Sequence, residues 1–282
     1  MKQVWLIILI FWTGYGFSQT KSDFSFIEHL INKGNYKEAI FLFKSDSMKL
    51  MHSQADSLNY YKGWAHYSVK NLELSTQSFL LVGKESPFYA KSHFFAGYNQ
   101  IYLNRYDEAR NTFERLNIED ETKKLLVNFE LGGIEMLQTN WDAAQKHFEK
   151  ISPDNALLSQ HITALQQLND GLKAHHKKSA FLAGLMSGIV PGSGKIYAGK
   201  TGEGVAQMIA TTGFGLVAWE NYRKVGIKNI RTIFFGSIFL ATYISNIYGS
   251  AISVKITENN YSNAVHNQIL FQLHIPLRNF FE

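Results

Sequence analysis

Arg105-Tyr106-Asp107-Glu108-Ala109, with Phe113 following, is the stretch on which the fold turns, because its plan comes back three more times. Gly34-Asn35-Tyr36-Lys37-Glu38-Ala39 with Phe43, Asn71-Leu72-Glu73-Leu74-Ser75 with Phe79, and Asn140-Trp141-Asp142-Ala143-Ala144 with Phe148 repeat it. In each, a large apolar residue is followed three positions later by a small one, and four further on by Phe. The small residues Ala39, Ser75, Ala109 and Ala144 are spaced by 36, 34 and 35. Gly63, Gly97 and Gly132 each lie 12 residues before the small residue of their unit. Offsets of three and four belong to a helix face. A steady period in this range marks stacked helix–turn–helix units. The small residues sit where two helices cross closely, and Phe and Tyr fill the space between neighbouring units.

This pattern resembles the tetratricopeptide repeat. The resemblance covers roughly half the chain and predicts a repeat domain over residues 23–175, with four units and a capping helix from Asn155 to Lys173. A terminal cap is needed because the last unit faces solvent. Two departures stand out: Ser75 replaces the alanine of the second unit, and Ile27 replaces the upstream glycine of the first. In that family the first helix of each unit lines a concave groove. The resemblance therefore implies a groove of Tyr60, Trp64 and Tyr67, then Phe94, Tyr98 and Tyr102, then Phe129 and Met136. This lining is aromatic and not basic, unlike members that clamp a chaperone's C-terminal carboxylate with Lys and Asn. Aromatic anchors imply a protein or peptide partner with apolar side chains.

The N-terminus reads as a secretory signal peptide over residues 1–18. Lys2 is the positive start, Val4 to Trp12 the apolar run, and Gly14, Gly16 and Ser18 the small residues before a cleavage site at Gln19. The run is too short to span a bilayer, which takes about 20 residues. The chain has no cysteine. That excludes disulfides, thiolate metal sites, a cysteine nucleophile and a lipid-modified N-terminal cysteine. It also fits export into an oxidising compartment. The net charge of +5 comes from scattered Lys and Arg, so no stripe for nucleic acid is expected.

Composition changes at Lys177, where glycines crowd in and charges thin out. Residues 177–255 read as a glycine-rich membrane domain. Gly184, Gly188 and Gly192 lie at the four-residue spacing that lets helices approach closely in a bilayer. Pro191-Gly192 should end that first helix. Spans are expected near 204–222 and 232–254. Between them Arg223, Lys224, Lys228 and Arg231 lie without an acid, which marks a cytoplasmic loop. A signal peptide and two spans together put the repeats and the C-terminus outside. Pro191-Gly192-Ser193-Gly194-Lys195-Ile196-Tyr197-Ala198-Gly199 resembles the Pro-Gly-x-Gly-x-x-Tyr-x-Gly signature of small bacterial two-span membrane domains, often fused behind periplasmic repeats. Asn246-Ile247-Tyr248-Gly249 fits that picture, while Lys195 stands where many such domains have Gln. No biochemical activity comes with the resemblance.

Gly194 to Thr201 also spells a phosphate-binding loop. That loop needs a buried strand before it and a helix start after it. A membrane-type helix, a Pro-Gly break and Gly202 and Gly204 stand there instead, so nucleotide binding is not expected. His175-His176 lies between lysines and reads as a solvated linker. Glu203, Gln207, Tyr243 and Asn246 are polar residues in or near the spans, read as interhelical hydrogen-bonding groups. The tail over residues 256–282 has strand-like alternation around Ile269, Phe271 and Leu273.

The expectation is thus an all-α chain: a helical tetratricopeptide-type solenoid followed by a transmembrane helical hairpin. The function expected is a non-enzymatic scaffold in the bacterial inner membrane, with the repeats in the periplasm holding a protein or peptide. The alternative is a component of an envelope transport or assembly complex acting through the membrane hairpin. No metal or cofactor is expected.

Overall fold

The structure is a computed structural model that describes residues 24–44 and 55–281. The signal peptide expected over residues 1–18 lies outside the described residues. Everything regular among the described residues is helical, and none of them forms a strand. The chain divides into two units, Met1–Asn169 with Ile269–Glu282 in one and Asp170–Gln268 in the other.

The first unit begins with α1 over residues 24–32. It continues with α2 (Tyr36–Leu42), α3 (Ala55–Ser68), α4 (Leu72–Leu80), α5 (Tyr89–Tyr102), α6 (Tyr106–Glu114), α7 (Glu121–Leu137), α8 (Trp141–Phe148) and the start of α9 (Ser159–Ala174). From α2 to α8, each helix packs on the next along the chain. The glycines explain the closeness. A methyl group on Gly63 would fall within 3 Å of the Phe79 ring, one on Gly97 within 3 Å of Phe113, and one on Gly132 within 3 Å of Phe148. The recurring Gly and Phe are therefore contact partners across three successive helix pairs, α3 with α4, α5 with α6 and α7 with α8.

The turns recur as well. Gly34, Lys70, Asn104 and Thr139 all have positive φ, between 60° and 79°. The amide after each reaches back to the preceding helix: Asn35 to the Leu30 carbonyl, Asn71 to His66, Arg105 to Gln100 and Asn140 to Glu135, at 2.8–2.9 Å. This is the left-handed helix stop that satisfies the last free carbonyls. Only the first turn uses glycine, the residue that adopts this backbone without strain.

In the second unit, Ser179 caps α10 (Ala180–Ile189), and the helix stops before Pro191-Gly192 as expected. A short α11 (Ser193–Tyr197) leads to α12 (Thr201–Val225). The last element, α13 (Ile230–Phe281), is 52 residues long. Among the described residues it alone is long and apolar enough to cross a membrane. Only 11% of its apolar window is buried.

The strand-like alternation in the tail gives way to helix. Ile269, Leu270, Leu273 and Leu277 are buried together, at helical spacing, in the end of α13 that belongs to the first unit. Phe271, which an alternating strand would put inside with Ile269 and Leu273, is 59% exposed. Four apolar residues over so short a window fit either period, and packing chose the helical one.

Candidate functional site: the aromatic face of the first unit

The eight residues expected to line a groove lie on α3, α5 and α7. Tyr60, Tyr67, Phe94, Tyr98, Phe129 and Met136 are buried, Trp64 is half-buried and Tyr102 is exposed. The structure joins them through rings. Tyr60 stacks on Phe88 at 4.1 Å between centroids, Trp64 stacks on Tyr67 at 5.5 Å, and Trp64 meets Phe95 edge-on at 5.1 Å. Tyr98 lies 6.5 Å from Tyr102, and Phe129 lies near Phe148 and His161. Burial raises the Tyr60 phenol to about 12 and pushes Tyr98 up as well, helped there by the neighbouring Tyr67 and Glu130.

Much of this face is covered by the chain's own residues 269–281. The His274 ring stacks on Tyr98 with centroids 4.7 Å apart and hydrogen-bonds the Tyr67 hydroxyl. The Tyr98 hydroxyl donates to the Leu270 carbonyl at 3.5 Å. Phe281 packs on Phe94 at 5.4 Å, and the Lys91 ammonium donates to the Phe281 carbonyl at 2.9 Å. That ammonium also sits 4.8 Å from the Trp64 ring. His161 hydrogen-bonds the Gln272 side chain at 2.6 Å. Leu273 packs so tightly on Gly133 that a methyl group there would collide with it.

Sequence reasoning named the aromatic residues of this face and did not name Lys91, Gly133, His161 or the covering segment. Gly133 did carry a signal. At its place, one after the recurring glycine, the earlier units have Trp64 and Tyr98. Its bareness leaves the gap that Leu273 fills. Glu130 was missed too. Its carboxyl is fully buried on α7, and neither oxygen has a hydrogen-bond partner. Burial raises it well above the usual carboxylate range.

The glycine-rich signature of the second unit forms a polar knot. The buried Asn246 amide accepts from the Gly192 backbone N–H at 2.8 Å and donates to the Ser187 carbonyl at 2.9 Å. The Ser187 hydroxyl bonds Ser250 at 2.7 Å and accepts from the Gly194 N–H at 2.9 Å. Tyr243 donates to the Gly188 carbonyl, and Gln207 to the Thr242 carbonyl at 3.4 Å. A side chain at Gly192 would strike the Gly204 carbonyl, and one at Gly194 the Ala183 carbonyl. Two amides of the loop are thus consumed internally, and Lys200 pairs with Glu203 at 3.2 Å. His175 bonds Glu258 at 2.8 Å and stacks on Tyr261. Among the described residues no cluster of three or more metal-ligating side chains forms.

Comparison with protein-family models, with curated proteins and with solved structures finds no match to this chain.

Proposed function

We propose that this chain is a membrane-anchored scaffold of tetratricopeptide-type repeats whose aromatic groove receives a helical segment of a protein partner. The observation that carries the reading is the helix seated on that face: residues 269–281 lie on Phe94, Tyr98 and Tyr67 through stacked rings and hydrogen bonds. A surface that takes one amphipathic helix along its aromatic residues is suited to others. The recurring left-handed turns and Gly–Phe contacts support the repeat reading, since each unit repeats its neighbour's backbone solution.

Docking of the C-terminal segment also bears on topology. Residues 269–281 and the repeats must lie on one side of any membrane, so the chain between them crosses it an even number of times. One crossing by α13 requires a second. α12 is 25 residues long and ends in Arg223 and Lys224; although less apolar than α13, it is the helix we assign to the second crossing. The basic loop then faces the cytoplasm, and the repeats stand in the periplasm against the inner membrane.

The test is a photo-crosslinking residue at the exposed Tyr102, introduced into the full-length chain in cells. A discrete crosslinked partner is expected, and its yield should collapse when Trp64 and Tyr98 are both replaced by serine. A crosslink indifferent to those substitutions would count against the groove.

A further inference from the structure

The segment that covers the groove fits it imperfectly in two respects. Pro276 lies inside α13, buried one turn beyond Leu273. It has no amide hydrogen, and its ring crowds the carbonyl of the preceding turn. Glu130 is the second misfit. It is fully buried with both oxygens unpartnered, which is among the costlier arrangements for a polar group.

The register of the helices points to a place opposite Glu130 for Pro276. Along α5, Lys91 meets Phe281, while Tyr98 meets His274 and Leu270, so the segment runs opposite to α5. α7 stands to α8 as α5 stands to α6, through the same Gly–Phe contact, so the segment runs opposite to α7 also. Leu273 rests on Gly133. Glu130 is one turn before Gly133, which puts it across from the turn after Leu273, where Pro276 lies. Tyr98, beside the segment, is close enough to Glu130 for the two groups to influence each other's proton affinity.

We propose that the groove is built for an amphipathic helix that carries a cationic side chain over Glu130, and that residues 269–281 hold this site as a displaceable occupant. The partner helix presents apolar residues at the places of Leu270, Leu273, Leu277 and Phe281, and a Lys or Arg at the place of Pro276. A cation there completes the buried carboxylate with a charge-assisted hydrogen bond, which Pro276 cannot do. The free chain is therefore closed, and opens to a helix that supplies what Pro276 lacks. This rests on the reading of the aromatic face as a binding surface.

The chain has no cysteine, so one introduced at the exposed Phe271 takes a single nitroxide label. The host is the full-length protein in detergent with Phe271→Cys and Leu273→Ala, the latter to loosen the segment's own hold; His274→Ala replaces it if the first variant loses its helical circular dichroism. The probes are synthetic peptides of residues 266–281, one with Pro276→Ala and one with Pro276→Lys. Both should free the label, seen as a mobile spectral component, and the lysine peptide should do so at about a tenfold lower concentration. That advantage should vanish in a host carrying Glu130→Gln. Equal potency of the two peptides, or a lysine advantage that survives Glu130→Gln, overturns the proposal while leaving the binding surface intact. If neither peptide frees the label, the binding-surface reading itself fails.

Discussion

Glu130 and Gly97 mark the two extremes of what a single residue does in this chain. Burial raises the affinity of the Glu130 carboxyl for a proton well above the usual carboxylate range. In the unfolded chain it ionises in the ordinary carboxylate range. Its contribution to stability is therefore fully present below that range and is lost as pH rises toward the folded value. Glu130→Gln should raise the melting temperature at pH 8 and leave it nearly unchanged at pH 4. An equal effect at both pH values would mean that the carboxyl is not buried as described. Gly97 is the opposite case, a residue needed for what it lacks. Alanine would gain up to about 1 kcal/mol in helix propensity. Its methyl would strike Phe113, and overpacking of this kind costs about 1–3 kcal/mol. Gly97→Ala should thus lower stability in urea unfolding despite being the better helix former.

The helix stops are the feature that belongs to the elements. Four turns share one left-handed backbone, yet only Gly34 is relaxed in it. Thr139 is β-branched and pays the most for that conformation. Thr139→Gly should therefore stabilise the protein by about 0.5–1 kcal/mol, while Gly34→Ala should destabilise it by about 1 kcal/mol, both read from denaturant midpoints. A stabilising Gly34→Ala would show that the turns differ. The helices were legible because their signals are local. Period, small residues and Phe sit within one or two turns of each other, and Pro191-Gly192 breaks α10 wherever the helix is placed. The turns at Lys70 and Thr139 were not legible, since neither residue favours positive φ and only the packing of the helices on each side imposes it.

At the scale of the whole molecule, topology is the testable matter. A reporter active only in the periplasm should work when fused after Glu282 and fail when inserted at Gly226. Activity at Gly226 would sink the two-span reading. The sequence by itself determined that the chain is helical, which helices pair, and that α13 has a membrane-length apolar stretch. Those properties follow from periodicity and composition, which are carried by neighbours in the chain. Only the tertiary structure decided that residues 269–281 are helix and lie on Tyr67, Phe94 and Tyr98. Tyr67 and His274 are 207 positions apart. The same holds for the orphaned carboxyl of Glu130 and for the latch of Asn246 on Gly192. A hydrogen bond or a ring stack depends on distance in space, and a single sequence records only distance along the chain.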